Sequence, residues 1–186
     1  GAEALAASTT LSGYVSTGYK YANSDSSGYF RAGDNRNSFS LDVVDLKLSS
    51  AQGDGAMDTG YTVELWMGPG ASDIGTQDSG NGGTVELMQA NIDLRIADID
   101  LKVGQFGTVV GAETYDYTSN TFYTHSWGFA AEPTHHTGVL ASKQLTDDLS
   151  IAVGLANTTG NATNGEGAGS GSSKTFLGSV SYTLGS

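Results

Sequence analysis

Glu132, His135 and His136 are the closest this sequence comes to a metal-binding motif. A zinc site needs three or four ligands converging on one ion. Neighbouring residues in an extended segment point to opposite sides, so His135 and His136 make poor co-ligands. They read instead as loop histidines anchoring the turn into the strand that follows, and no metal is expected. Asp116, His125 and Ser126 supply the residue types of a hydrolytic triad, but no nucleophile elbow positions them. The run Gly165-Glu166-Gly167-Ala168-Gly169-Ser170-Gly171 has the glycines of a phosphate loop without the lysine and following helix such a loop requires. It reads as a low-complexity external loop. Asn157-Thr158-Thr159 and Asn161-Ala162-Thr163 are glycosylation sequons, which would suit the same loop. Asp25, Asp34, Asp54, Asp58, Asp73 and Asp78 make acidic loop tips, but none has the ligand spacing of a dedicated calcium site. The chain has no cysteine, which excludes disulfides, thiolate metal sites and a cysteine nucleophile. No catalytic residue, no cofactor and no enzyme activity are expected.

Behind these residues lies a pattern of strands. The chain has 186 residues, with 27 glycines and 2 prolines. That length suits one domain, and that composition suits many turns. Twenty acidic residues against 8 basic ones give a net charge of −12. Nucleic acid is excluded as a partner, because its binding depends on Lys and Arg neutralising phosphates. No run of about 18 apolar residues occurs, so no transmembrane helix is expected. Residues 1–8 lack the basic and apolar regions of a signal peptide, consistent with a signal already removed.

Alternation with period two marks eight candidate strands, near 11–22, 39–49, 60–68, 84–97, 98–106, 137–145, 148–156 and 174–184. In the first, Leu11, Val15, Tyr19 and Tyr21 oppose Ser12, Ser16 and Lys20. In the second, Phe39, Leu41 and Val43 alternate with Ser40 and Asp42. After Val44 the apolar set moves to Leu46 and Leu48, opposite Asp45 and Lys47, as a β-bulge would produce. The third sets Tyr61, Val63, Leu65 and Met67 against Thr62, Glu64 and Trp66. The fourth sets Met88, Ala90, Ile92, Leu94 and Ile96 against Gln89, Asn91, Asp93 and Arg95. The fifth sets Ile99, Leu101 and Val103 against Asp100, Lys102 and Gly104. The sixth shows Val139, Ala141 and Leu145 on one face. The seventh sets Leu149, Ile151, Val153 and Leu155 against Ser150, Ala152 and Gly154. The eighth sets Phe176, Val180, Tyr182 and Leu184 against Thr175, Ser179, Ser181 and Thr183. No sustained helical period appears, so helix content should be low.

The links alternate between short and long. Those near 52–55, 97–98 and 146–148 are short, and those at 23–38, 69–83, 107–136 and 157–173 are long and polar. Short turns at one end and long loops at the other are the signature of an outer-membrane barrel. A soluble β-sandwich shares the alternation but has no reason to keep its long loops together. The fold expected is therefore an all-β, antiparallel up-and-down transmembrane β-barrel with about eight strands in this chain, possibly part of a larger barrel. Residues 1–10 form an N-terminal periplasmic segment and 11–186 the barrel.

Two stretches carry a family resemblance. One is Leu101-Lys102-Val103-Gly104-Gln105-Phe106-Gly107-Thr108-Val109-Val110-Gly111-Ala112-Glu113. The other is Gly128-Phe129-Ala130-Ala131-Glu132-Pro133-Thr134-His135-His136-Thr137-Gly138-Val139-Leu140-Ala141-Ser142. With an aromatic-rich segment between them, and with Leu11-Ser12-Gly13-Tyr14-Val15 and Asn37-Ser38-Phe39-Ser40-Leu41, they resemble a family of outer-membrane β-barrel porins of Gram-negative bacteria. The resemblance spans about residues 11–157. Members of that family run longer, with further hairpins, so this chain resembles the N-terminal part of the barrel. Bacterial barrels usually end on a terminal aromatic residue, and this chain ends on Tyr182-Thr183-Leu184-Gly185-Ser186. Eight strands leave an interior filled by side chains, whereas about 16 enclose an aqueous channel.

The resemblance implies the bacterial outer membrane as location, the bilayer and lipopolysaccharide as surroundings, and small hydrophilic solutes or ions as cargo. A homo-oligomer or an envelope complex stays open. Lys20, Asp42, Lys47, Glu64, Asp93, Arg95, Asp100 and Lys102 are the expected lumen-facing charges. The long 107–136 segment is the expected constriction loop, with Glu113, Tyr115, Asp116, Tyr117, Tyr123, His125, Trp127 and Glu132 as its candidates. Its alternative reading is an external loop with its own aromatic cluster or an interfacial girdle. Two functions compete: a passive diffusion channel, in which acidic loops tilt nearly balanced lumen charges toward cations, and a non-conducting anchoring barrel or partner subunit.

Overall fold

The computed structural model describes residues 8–23, 36–53, 58–74, 85–159 and 174–184. Residues 1–7, Asp25, Asp34, Asp54, Asp78, Asn161 and the Gly165–Gly171 run lie outside them. The strands are β1 (Thr9–Lys20), β2 (Ser38–Ser50), β3 (Thr59–Met67), β4 (Val85–Ile96), β5 (Ile99–Gly107), β6 (His135–Thr146), β7 (Leu149–Ala156) and β8 (Thr175–Tyr182). They form one eight-stranded antiparallel sheet in chain order. Strand β1 begins inside the segment expected to precede the barrel. A six-residue helix, α1 (Pro69–Ile74), and a 3₁₀ turn over Phe129–Ala131 are the helical elements among the described residues. The sequence had shown α1 only as loop.

Each strand segregates its faces because successive side chains point to opposite sides of the sheet. Register partners then carry one face across the sheet: Lys47 opposes Glu64, Glu64 opposes Gln89, Asp93 opposes Lys102, Lys102 opposes Leu140 and Leu140 opposes Gly154. This face is buried wherever the loops and the curve of the sheet cover it. Asp45 and Glu64 are 5% and 3% exposed, while Leu11, Val153 and Phe176 on the other face are 70%, 61% and 86% exposed. Charges inside and aliphatic side chains outside is the reverse of a water-soluble sheet.

Two bulges correct the expected phase. The β1–β2 register shifts between Ser16 and Thr17, leaving Asp42 as the extra residue of β2. The phase therefore changes before Val43, and Val43 is fully buried rather than exposed with Phe39 and Leu41. A second shift, between Glu64 and Leu65, makes Met88 the extra residue of β4. Met88 is likewise buried, not part of the outward set with Ala90 and Ile92. Both residues join a core with Trp66, Ala71, Ile74, Tyr115 and Tyr117.

Glycine allows the sheet to curve at Gly104, whose φ of +125° favours a residue without a side chain. A Cβ there would run into the Ala90 carbonyl oxygen. The β4–β5 turn is tight, with Ala97 and Asp98 both at positive φ (49° and 62°), the backbone pattern of a type I′ hairpin. Strands β1 and β8 are the two ends of the sheet order and do not pair with each other.

Candidate functional site

The eight charges picked out in the sequence form four ion pairs in space. Lys20 Nζ lies 4.0 Å from Asp42 and Lys47 Nζ 3.5 Å from Glu64. Lys102 Nζ lies 2.8 Å from Asp93, and Arg95 Nε 2.6 Å from Asp100. Cross-strand register places the last three pairs directly opposite one another, where opposite charges attract at short range. Lys20–Asp42 lies at the loop end and is enclosed. Arg95–Asp100 lies beside the 97–98 turn and is about half exposed.

The segment between β5 and β6 folds onto this face. Tyrosines fasten it. The Tyr115 hydroxyl donates to Glu64 at 3.0 Å and accepts from Gln89 Nε2 at 2.7 Å. The Tyr123 hydroxyl donates to Asp42 at 3.0 Å, and the Lys20 ammonium sits 3.7 Å above the Tyr123 ring. The Tyr117 amide donates to the Tyr14 hydroxyl at 3.3 Å. Trp66 of β3, fully buried, packs against Tyr115 and Tyr117 at 5.5 and 5.0 Å between ring centroids. Burial and the nearby Glu64 carboxylate raise the Tyr115 hydroxyl well above the ordinary tyrosine range, so it remains a donor.

The sequence of residues 8–186 matches the family described as Putative beta-barrel porin-2, OmpL-like. The chain belongs to that family. No curated protein and no solved structure matches it.

In this porin-family chain the other loop candidates play local parts. Asp116 accepts from the Thr118 amide and hydroxyl, both at 2.8 Å, an Asx turn that shapes the loop. Ser126 donates to Glu113 through its amide and hydroxyl, which holds the Glu113 carboxyl below its usual range. His125 stacks on Phe129 at 3.7 Å and bonds the Thr114 carbonyl at 2.8 Å. Asp116, His125 and Ser126 make no hydrogen bond to one another and form no triad. Glu132 is half-buried beside Gly111. Trp127 stands 92% exposed, away from the cluster that holds the tyrosines.

His135 and His136 are both buried, but they face different neighbours. His135 packs 4.4 Å from the Tyr115 ring, and His136 bonds the Thr108 hydroxyl at 2.9 Å. Among the described residues no three metal-capable side chains gather. Sequence reasoning left out Asp45 and Glu86 as inner-face acids, and Gln89 as the amide that joins Glu64 to the loop. Asp45 had been placed opposite the outward leucines, which was signal enough. Glu86 was hidden by the bulge at Met88, which reverses the phase on its far side.

Proposed function

We propose that this chain builds the wall of a passive outer-membrane diffusion pore for small hydrophilic solutes and ions, with a preference for cations. One observation carries the reading: the sheet buries its charges under a folded-in loop and turns its aliphatic side chains outward. Such a surface is unfavourable in water and matches a lipid-facing barrel wall. Further strands, from the same polypeptide or from another copy, would complete the barrel between β1 and β8. The bilayer and lipopolysaccharide are then the surroundings, and no reaction is assigned.

Charge supports the cation preference. The described inner face carries Asp42, Asp45, Glu64, Glu86, Asp93 and Asp100 against Lys20, Lys47, Arg95 and Lys102. The loop adds Glu113, Asp116 and Glu132 with no Lys or Arg. Nine carboxylates against four bases leave a cation-attracting field in a low-dielectric enclosure. Protein reconstituted in planar bilayers under a potassium chloride gradient should give a reversal potential on the cation side. Clear anion preference sinks the charge argument, and absence of conductance sinks the pore.

A second reading has one observation in its favour. The buried cluster around Trp66, Tyr115 and Tyr117 fills part of the interior, as a non-conducting anchoring barrel or partner subunit would need. Intact folded protein in the bilayer without conductance would select it.

A further inference from the structure

The inner face is filled toward the long loops and open toward the short turns. Over β1–β4 the core packs wall, α1 and loop together: Val43, Trp66 and Met88 against Ala71, Ile74 and Tyr115. From β1 across to β6, two cavities follow one another along the wall. The first, of about 310 Å³, lies beneath the loop, where Lys47 and Lys102 face Thr114 and Asp116. The second, of about 550 Å³, lies toward the short-turn end and is bordered by Asp93, Arg95 and Asp100. Lys102 and Leu140 line both. They are direct register partners on β5 and β6, so that pair stands between the two cavities.

The two side chains at the joint differ in what they offer a passing solute. Leu140 is buried and apolar, while the Lys102 side chain stays 34% exposed. Its ammonium carries three donors. Asp93, its register partner on the other side, lies 2.8 Å away and borders the second cavity. Beyond Leu140 the opposing residue on β7 is Gly154, which has no side chain to narrow the passage.

We infer that solutes cross from the first cavity to the second past Lys102, and that the Lys102–Asp93 pair limits how strongly the pore favours cations. The inference rests on the pore reading proposed above. Toward the loop end the packed core around Trp66 confines the route to the side of Lys102, and beyond Lys102 it widens toward Thr10, Ser50 and Thr62. At the joint the ammonium offsets the neighbouring carboxylate, so the step admits neutral and singly charged polar solutes. Without it, Asp93 alone faces the passage and the step favours cations.

The test uses the whole protein in planar bilayers under a potassium chloride gradient, with Lys102→Met, Lys102→Glu and Lys143→Met. Lys143 lies on the opposite face of β6, opposite Ile151, and its loss changes the net charge as the Lys102→Met loss does. Lys102→Met should move the reversal potential toward that of potassium and Lys102→Glu should move it further, while Lys143→Met leaves it in place. These 186 residues contain no cysteine, so Lys102→Cys gives a second, independent readout. A negatively charged alkyl methanethiosulfonate, which forms a mixed disulfide with the thiol and releases methanesulfinate, should change the current of the conducting variant, and a thiol reductant that cleaves the disulfide should reverse the change. A conducting wild type whose Lys102 variants keep its reversal potential, or a Lys102→Cys current indifferent to the reagent, overturns this route and leaves the pore reading standing. A wild type without conductance overturns both.

Discussion

Glu64 is a carboxylate 3% exposed on a sheet face, surrounded by the Tyr115 hydroxyl, the Gln89 amide and the Lys47 ammonium. A buried charge without partners is costly, and one with several is sustained. Tyr115→Phe keeps the ring against Trp66 and removes the donor to Glu64. It should destabilise the folded protein by about 1–3 kcal/mol. Arg95→Ala removes a closer pair, at 2.6 Å, but one in which both side chains are half exposed, and should cost less than about 1 kcal/mol. Urea unfolding of both variants in the same detergent ranks them, and a larger loss for Arg95→Ala contradicts the ordering. The types and spacing of the charges were legible in the sequence because alternation puts them on one face. Their partners were not, because Tyr115 and Tyr123 reach Glu64 and Asp42 across 51 and 81 residues of chain.

At the scale of elements, all eight strands follow from alternation, since the sorting of apolar and polar residues to two faces is written directly in one dimension. What alternation does not show is where it slips. The bulge in β2 was visible as a phase change, but its position fell at Asp42 rather than after Val44. The bulge at Met88 was invisible, because methionine fits either face. Helix α1 is too short for a periodic signal and is held by packing of Ala71 and Ile74 against the core. Curvature is another property of elements that single residues decide. Gly104→Ala sets a Cβ against the Ala90 carbonyl at a φ of +125° and should destabilise by about 1–3 kcal/mol. Gly178→Ala, on β8 with nothing within 4 Å of the added carbon, should be neutral within about 0.5 kcal/mol. Thermal unfolding of the pair by circular dichroism checks the contrast, and equal effects would mean that Gly104 does not shape the sheet.

For the whole molecule, alternation alone left a barrel and a soluble sandwich both standing, because each hides one face of every strand. The structure separates them by which face is hidden. Ile92, Val103 and Val139 are 51%, 38% and 42% exposed, while Asp45, Glu64 and Glu86 are nearly enclosed. Aliphatic exposure on this scale is tolerated where the solvent is lipid. The family match over residues 8–186 agrees with that choice. The measurement that tests it most directly is a scan of single cysteines along β4, from Ala90 to Arg95, in protein inserted in lipid vesicles. The account predicts a period of two. A membrane-impermeant thiol reagent labels positions 93 and 95, Asn91 being buried beneath its neighbours, whereas probes at 90, 92 and 94 are shielded from it and quenched by a quencher carried on the lipid chains. Equal aqueous labelling at all six positions, or lipid quenching at 91, 93 and 95, would contradict a lipid-facing outer surface and a wet inner one.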